Sequence, residues 1–454
     1  MQTIWAAQAL IGDHWADAVA VEVGADGRIA SIVENAAPTG TRVGALLPAP
    51  VNLHSHAFQR AMAGLTERRG PSGRDSFWTW RQLMYRFLDA LTPEHVAAIT
   101  AFVQMEMLEA GYAAVAEFHY LHHQADGMPY DDIGELSARI GAAAVESGIG
   151  LTLLPVLYEQ ATCLGAPLGP GQVRFGNDVD RFERLLARAG QLVAALPADA
   201  GIGVAPHSLR AVSQPSLRNA VGLANGRPLH MHVAEQTAEV DEVLSAYGRR
   251  PVEWLVANHE VGERWCLIHC TQMTPEEMHA LASTGAVAGL CPMTESSLGD
   301  GIFDGVAYLE QEGRFGIGSD SNIRISLGEE LRTLEYSQRL RDRGRAMLAS
   351  ATASTGRRLF EGAARGGAQA AQRQSGVIAR GNWADLLALD IAAVDLEGRR
   401  GDTLLDSFVF AGDDRMISDL WSAGRHVVRG GRHIHREAIV SRYRRTMSTL
   451  KDHL

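Results

Sequence analysis

The stretch that decides the fold is Val51-Asn52-Leu53-His54-Ser55-His56, a short apolar run that ends in two histidines. Similar runs recur through residues 48–372, and amphipathic helical stretches separate them. Strands that alternate with helices form parallel βα units, so this pattern predicts a (β/α)8 TIM barrel. The eight runs are Val51–Leu53, Ala113–Ala116, Leu151–Val156, Ile202–Ala205, Pro228–Val233, Trp265–Ile268, Ala286–Leu290 and Phe315–Gly318.

Both ends of the chain are rich in short strands instead. Ala18–Val23, the Asp26-Gly27 turn and Ile29–Val33 describe a hairpin. Four further strands are predicted near the other end, at Ala384–Asp390, Asp406–Phe410, Ile417–Ser422 and His426–Val428. We therefore expect a small β-sandwich domain built from both termini, residues 1–47 and 373–454, around a barrel at 48–372. A helix is predicted from Arg436 to the C-terminus.

Composition excludes several classes of function. The 454 residues include 42 Lys+Arg and 53 Asp+Glu, a formal net charge of −11. Nucleic acids and anionic membranes favour basic surfaces, so neither is expected as a partner. No apolar run approaches the roughly 20 residues of a membrane span, and no secretion signal is visible. The four cysteines have no spacing typical of a disulfide framework, and the sequence predicts a cytoplasmic protein.

Histidines and one aspartate at strand ends predict a metal site. Because side chains alternate along a strand, His54 and His56 point to the same side. This pair alone is a weak signal, but His232 ends the fifth run and Asp320 follows the eighth. Three imidazoles and a carboxylate suit zinc best, with Fe(II), Mn(II) and Co(II) as alternatives. No lysine ends the fourth run to bridge a second ion, so one divalent metal is expected.

Two further residues are placed for catalysis. A divalent metal lowers the pKa of water to about 7, and hydrolysis of a C–N bond also needs a proton carrier for the departing nitrogen. Glu235 follows His232 by three residues and begins a helix beside the predicted metal. His269 ends the sixth run and is placed either to orient the attacking water or to polarise the substituent on the attacked carbon. His230 is expected to be structural, and His122 and His123 to be solvated.

The order of these residues resembles the amidohydrolase superfamily in its mononuclear, deaminase-like branch. The resemblance rests on His54-Ser55-His56, His232-x-x-Glu235, His269 and Ser319-Asp320, and it covers the whole chain. It implies that Asp320, besides binding the metal, accepts a proton from the attacking water. It also implies that Glu235 delivers that proton to the leaving nitrogen.

Longer motifs resemble the formimidoylglutamate deiminase family more narrowly. They are Asn52 to Met62, Ser76 to Arg81, Ala116 to Tyr120, His207 to Val212 and Gly318 to Ser321. The resemblance implies hydrolysis of N-formimidoyl-L-glutamate to N-formyl-L-glutamate and ammonia, in histidine degradation, by a homodimer. Such a dicarboxylate suits two arginine forks. Arg81 and Arg210 are the candidates, with Tyr120 and His207 as further donors, and Gln59 is expected near the formimino group.

Two other functions remain open. A related deaminase of a nucleobase or nucleoside would use the same metal chemistry with a different pocket, although such a pocket favours aromatic and amide groups over arginines. A metal-binding protein without catalysis is the second alternative. Glu235 and His269 argue against it, because storage requires ligands only.

Overall fold

A computed structural model describes residues 2–67 and 77–451 of the chain. Its N-terminal strands are β1 (Gln2–Ile11), β2 (His14–Val23), β3 (Ile29–Val33) and β4 (Thr41–Pro48). The barrel strands follow as β5 (Val51–Ser55), β6 (Ala114–His119), β7 (Gly150–Leu157), β8 (Gly201–Ile202), β9 (Ala205–Pro206), β10 (Leu229–Val233), β11 (Trp265–His269), β12 (Val287–Leu290) and β13 (Arg314–Ile317). All eight predicted runs are therefore strands, the fourth being divided into β8 and β9.

These strands close into a parallel barrel. β5, β6, β7 and β8 pair in order, β9 also pairs with β7, and β10 to β13 pair in order. Parallel bridges from Val204 to Leu229 and from Ser208 to His232 join the fourth strand to the fifth. A bridge between Ser55 and Asp320 joins the first strand to the end of the eighth. The predicted barrel is thus confirmed, and the carboxyl ends of its strands surround one mouth of the barrel.

Helices occupy the connections and cover the barrel. Several begin at side-chain caps, as where Asp178 accepts the backbone N–H of Arg181 and Ser213 that of Ser216. The helices are α1 (Phe77–Asp89), α2 (Pro93–Glu109), α3 (Glu135–Ser147), α4 (Val179–Ala194), α5 (Gln214–Ala224), α6 (Thr237–Tyr247), α7 (Pro251–Asn258), α8 (Pro275–Thr284), α9 (Pro292–Leu298), α10 (Gly305–Glu310), α11 (Leu327–Asp342), α12 (Thr355–Ala370), α13 (Asp402–Phe410) and α14 (Arg436–Leu450).

Both termini contribute to one sheet, as the sequence predicts. Its C-terminal strands are β14 (Leu386–Leu389), β15 (Ile417–Ser422), β16 (Arg425–Arg429) and β17 (Arg432–His433). The order is β17-β16-β15-β14-β4-β1-β2-β3, with β1 and β4 parallel and every other pair antiparallel. This mixed sheet forms the terminal β-sandwich domain. The boundaries at 47/48 and 372/373 stay a prediction.

The predicted strand at Asp406–Phe410 is wrong, because these residues belong to helix α13. Leu404, Leu405, Phe408 and Val409 are its buried residues. Spacings of one, four and five residues place them on a single helix face, and α13 packs against α11 and α12. Leu404 and Leu405, the first half of this pattern, precede Asp406. Within Asp406–Phe410 alone, the aromatic and β-branched residues favour a strand.

A buried ion network connects the barrel to the terminal sheet. Asp199, just before β8, lies 3.0 Å from Arg373 and 2.7 Å from Arg425 of β16. Arg373 also pairs with Asp385 at 2.6 Å.

Within residues 2–67 and 77–451, no helix is both long and apolar enough to cross a membrane.

Candidate active site

The four predicted metal ligands meet at the barrel mouth. The ligand atoms of His54, His56, His232 and Asp320 all lie within 4.8 Å of one another, and all four residues are buried. Oδ1 of Asp320 is 3.4 Å from Nε2 of His54 and 3.3 Å from Nε2 of His56. Strand ends far apart in sequence thus contribute to one cluster.

The donor set fits a divalent metal. Nδ1 of His56 and Nδ1 of His232 are hydrogen-bonded to the backbone carbonyls of Phe118 and His207, which leaves each Nε2 facing the cluster. Neither ring nitrogen of His54 makes a well-formed hydrogen bond in the described part of the chain, although both are buried. A buried polar atom without a partner is costly unless a ligand satisfies it.

Protonation states also suit metal binding, which requires neutral imidazole and ionised carboxylate. Burial lowers the pKa of His54 to about 3, more than the nearby Asp320 raises it. Burial alone would raise the pKa of Asp320, but the surrounding histidines hold that pKa well below its usual value.

Side-chain hydrogen bonds fix the backbone on which the ligands stand. Oδ1 of Asn52 accepts the backbone N–H of Ser319 at 3.1 Å, and Nδ2 of Asn322 donates to the carbonyl of His56 at 3.2 Å.

Two residues of the site have an unusual backbone conformation: Asp320 has a φ of +46° and His269 a φ of +71°. Non-glycine residues adopt this conformation at a cost, which is typical of functional sites that the surrounding structure holds in place.

Glu235 and His269 lie beside the cluster. Nε2 of His269 is 3.7 Å from Oε1 of Glu235 and 3.8 Å from Oδ2 of Asp320. Burial raises the pKa of Glu235 to about 7, the range useful to a proton carrier near neutral pH. Burial opposes a charged imidazole, yet Glu235, Glu295 and Asp320 together raise the pKa of His269 well above its ordinary value.

The predicted substrate-binding residues lie in the same cavity. It is lined by three of the four cluster residues, by Glu235 and His269, and by Gln59, Arg81, Tyr120, His207 and Arg210. Gln59 donates to the Tyr120 hydroxyl at 2.7 Å. Arg81 and Arg210 both donate to the hydroxyl of Tyr158, at 2.8 and 3.1 Å. The cavity therefore holds a site fit for a metal together with two guanidinium groups.

Comparison with known proteins agrees with this geometry. The profile of the amidohydrolase family matches residues 45–427, most of the chain. The chain belongs to the amidohydrolase family. Residues 1–42 of this amidohydrolase match the N-terminal domain of formimidoylglutamate deiminase HutF.

Individual relatives narrow the comparison. Formimidoylglutamate deiminase from Pseudomonas aeruginosa is 48% identical over 458 residues, covering 100% of both chains. The 8-oxoguanine deaminase of the same species is 27% identical and covers 94% of this chain and 93% of its own. A crystal structure of an amidohydrolase from Brucella melitensis superposes with a TM-score of 0.95 at 45% identity, covering 99% of this chain and 100% of the other.

Three polar residues of this amidohydrolase site were not identified from the sequence. Tyr158 directly follows β7, the third barrel strand; this position is its one sequence signal, and a tyrosine there is otherwise chemically ordinary. The carboxylate of Glu239 accepts the backbone N–H groups of Ala234 and Glu235, each at 3.0 Å. Glu295 lies on α9 and reaches His269. The contacts of Glu239 are local, but an acid in the first turn of a helix is too common to mark a site. The contact of Glu295 with His269 spans 26 residues and has no sequence signal.

The histidines predicted to be solvated include buried ones. The sequence predicted that His122 and His123 would be solvated, but both are buried in the amidohydrolase. Nε2 of His122 is hydrogen-bonded to the carbonyl of Val156, and that of His123 to the carbonyl of Gly176. His230 is structural, as expected, because its Nε2 lies 2.8 Å from the carbonyl oxygen of Ala370.

Proposed function

We propose that this amidohydrolase is a formimidoylglutamate deiminase, which converts N-formimidoyl-L-glutamate and water to N-formyl-L-glutamate and ammonia. The observation that carries the proposal is the single cavity that joins the histidine–aspartate cluster and Glu235 to Arg81 and Arg210. The formimino group of the substrate suits the metal cluster and Glu235, and its two carboxylates suit the two guanidinium groups. The 48% identity to the Pseudomonas aeruginosa enzyme supports the same substrate.

His54, His56, His232 and Asp320 would hold one divalent metal, and zinc is our proposal for it. When bound, the metal supplies Lewis acidity, which makes water a better nucleophile near neutral pH. Support comes from the unsatisfied nitrogens of His54 and from the fixed Nδ1 atoms of His56 and His232. Nitrogen ligands with one carboxylate are typical of catalytic zinc.

Proton transfer is assigned to Asp320 and Glu235. The water oxygen bonds to the formimino carbon as Asp320 accepts a proton from it. Glu235 protonates the terminal nitrogen, and the proton held by Asp320 restores Glu235. The bond from the carbon to this nitrogen then breaks as the added hydroxyl oxygen forms the formyl C=O and gives up its remaining proton. Glu235 delivers the second proton, so the nitrogen departs as ammonia with both protons of the water. His269 stands between the two carboxylates and orients the reacting groups.

Substrate recognition is assigned to five side chains. Arg81 and Arg210 bind the two carboxylates, since a guanidinium fork matches carboxylate geometry. Tyr120 and His207 add hydrogen bonds on the same side. Oε1 of Gln59 is buried without a partner among the described residues, so it can accept an N–H from the formimino end.

Three wider assignments belong to the same proposal. The reaction places the protein in histidine degradation. All four cysteines are free and buried, which agrees with a reducing cytoplasm. The family resemblance supports a homodimer, which light scattering coupled to gel filtration would test.

A substrate panel tests this function against the nucleobase alternative. The zinc-loaded protein is assayed for ammonia release from N-formimidoyl-L-glutamate, 8-oxoguanine and adenosine. We expect kcat/KM for the first compound to exceed that for either ring compound by at least about a thousandfold, because the ring compounds offer no carboxylate to the two guanidinium groups. Preferred turnover of 8-oxoguanine or adenosine would overturn the proposal.

A further inference from the structure

The hydroxyl of Tyr158 is the meeting point of three donors. Arg81 donates to it from Nη2 at 2.8 Å, Arg210 from Nη1 at 3.1 Å and Gln172 from Nε2 at 2.8 Å. Tyr158 is only 1% exposed. A phenol oxygen has two lone pairs, so three converging N–H groups exceed what a neutral hydroxyl accepts well. Its surroundings favour negative charge at this point.

Two guanidinium groups meet at this acceptor. They share a cavity and repel each other, and burial strengthens that repulsion. Arg210 makes no ion pair with a carboxylate of the described residues; it donates to Tyr158 and, at 3.3 Å, to the carbonyl of Ala161. Burial would raise the pKa of Tyr158, but Arg210 and Arg81 outweigh it and lower that pKa below its usual value.

Tyr158 is itself held in place. Gln172 donates to its hydroxyl while Oε1 of Gln172 accepts the backbone N–H of Gly169 at 2.9 Å. The ring packs edge-on against His207, with centroids 4.6 Å apart, and lies 5.7 Å from the ring of Phe175. Its oxygen therefore offers the arginines a fixed point rather than a mobile partner.

We propose that Tyr158 is a specificity-determining residue: its oxygen holds the Arg81 and Arg210 guanidinium groups at the spacing that selects a dicarboxylate over a monocarboxylate. The proposal rests on the proposed function for the identity of the substrate. It assigns Tyr158 to ligand selection and not to the chemical step, because its oxygen serves the arginines.

Tyr158→Phe tests this, with Tyr308→Phe as the matched control. Tyr308 is equally buried and its hydroxyl donates to the carbonyl of Arg314 at 3.1 Å, outside the cavity. Binding of glutarate and of butyrate is measured by calorimetry on each protein. The preference is the ratio of the butyrate Kd to the glutarate Kd. We expect Tyr158→Phe to reduce this ratio by about tenfold, because the substitution removes hydrogen bonds to charged groups. Tyr308→Phe should leave the ratio unchanged.

Kinetics with N-formimidoyl-L-glutamate separate selection from chemistry. Tyr158→Phe should raise KM about tenfold and change kcat by less than about threefold. If that variant does not fold, Gln172→Leu, which removes the third anchor, should reduce the glutarate preference in the same direction. An unchanged glutarate preference in the folded variants, or a fall in kcat alone, would overturn the proposal.

The two proposals fail in different ways. Absence of turnover by the wild-type protein would contradict the proposed function, yet the glutarate and butyrate titrations would still test Tyr158. A wild-type protein that turns over N-formimidoyl-L-glutamate but binds glutarate no better than butyrate would contradict only the role of Tyr158.

Discussion

Nδ1 of His269 lies 3.2 Å from Oε1 of Glu295, so this carboxylate fixes the ring and leaves Nε2 facing the cavity. Such supporting acids set the orientation and tautomer of the imidazole they contact. Glu295→Gln removes the charge while keeping the shape. We expect kcat/KM to fall about ten- to a hundredfold with little change in thermal stability.

Glu277→Gln is the control for Glu295, because Glu277 is also buried but pairs with Arg250 at 2.8 Å, outside the cavity. It should alter stability and leave turnover unchanged. Equal kcat/KM values in wild type and Glu295→Gln would contradict the positioning role.

Glu235→Gln tests proton delivery. An amide cannot carry the proton, so kcat should fall by about a hundred- to ten-thousandfold, the usual contribution of general acid–base catalysis. Metal content, measured by mass spectrometry, should stay that of wild type, because Glu235 is outside the ligand set. Retained activity, or lost activity together with lost metal, would refute the assignment.

His232 and His230 form a matched pair on β10. His232 belongs to the metal cluster, whereas His230 bonds the carbonyl of Ala370 deeper in the barrel. His232→Asn should bind zinc at least about tenfold more weakly and lose the thermal stabilisation that zinc provides. His230→Asn should keep both properties. The reverse pattern would mean that the ligand set is misassigned.

Gly366 of α12 allows the helix to pack directly on β13. A Cβ at this position would overlap the carbonyl oxygen of Phe315, a backbone atom that cannot move aside. Gly366→Ala should destabilise the protein by about 3 kcal/mol, despite the better helix propensity of alanine. Urea denaturation gives the free energy of unfolding.

Gly190 of α4 provides the opposite case. Apart from the neighbouring residues and backbone of its own helix, no heavy atom of the described residues lies within 4 Å of a Cβ placed there. Gly190→Ala should therefore stabilise the folded protein by about 0.5–1 kcal/mol, because alanine lowers the conformational entropy of the unfolded chain and adds no clash in the folded one. Similar effects of the two substitutions would show that the α12–β13 contact is less close than described.

Asp199 should make stability depend on pH. Burial would raise the pKa of Asp199, but Arg425 and Arg373 hold the pKa below its usual value of about 3.9. A carboxylate with a lowered pKa stabilises the fold above its unfolded pKa, and this contribution is lost as the pH falls. Asp199→Asn should cost about 3 kcal/mol at pH 7, and the difference from wild type should shrink below about pH 4. A constant difference from pH 7 to pH 3 would contradict this.

Strand periodicity made much of the site predictable. Strand ends of a barrel form its active site, and five site residues lie at or beside such ends: His54, His56, His232, His269 and Asp320. Arg210 and Gln59 follow within about one turn. Tyr158 also follows a strand, but a tyrosine there is chemically ordinary until the arginines are seen to converge on it. Glu295 lies on α9 and reaches His269 by a contact across 26 residues, which no local pattern predicts. Residues 68–76, which hold part of one motif, lie outside the described residues.

The most direct measurement of the central claim is product analysis of zinc-loaded protein incubated with N-formimidoyl-L-glutamate. Ammonia, N-formyl-L-glutamate, formamide and L-glutamate are quantified together. The proposed geometry, with Glu235 beside the terminal nitrogen, predicts ammonia and N-formyl-L-glutamate in equal amounts. Formamide with L-glutamate would mean that the other nitrogen leaves and would contradict the assignment of Glu235, and no product at all would contradict the substrate.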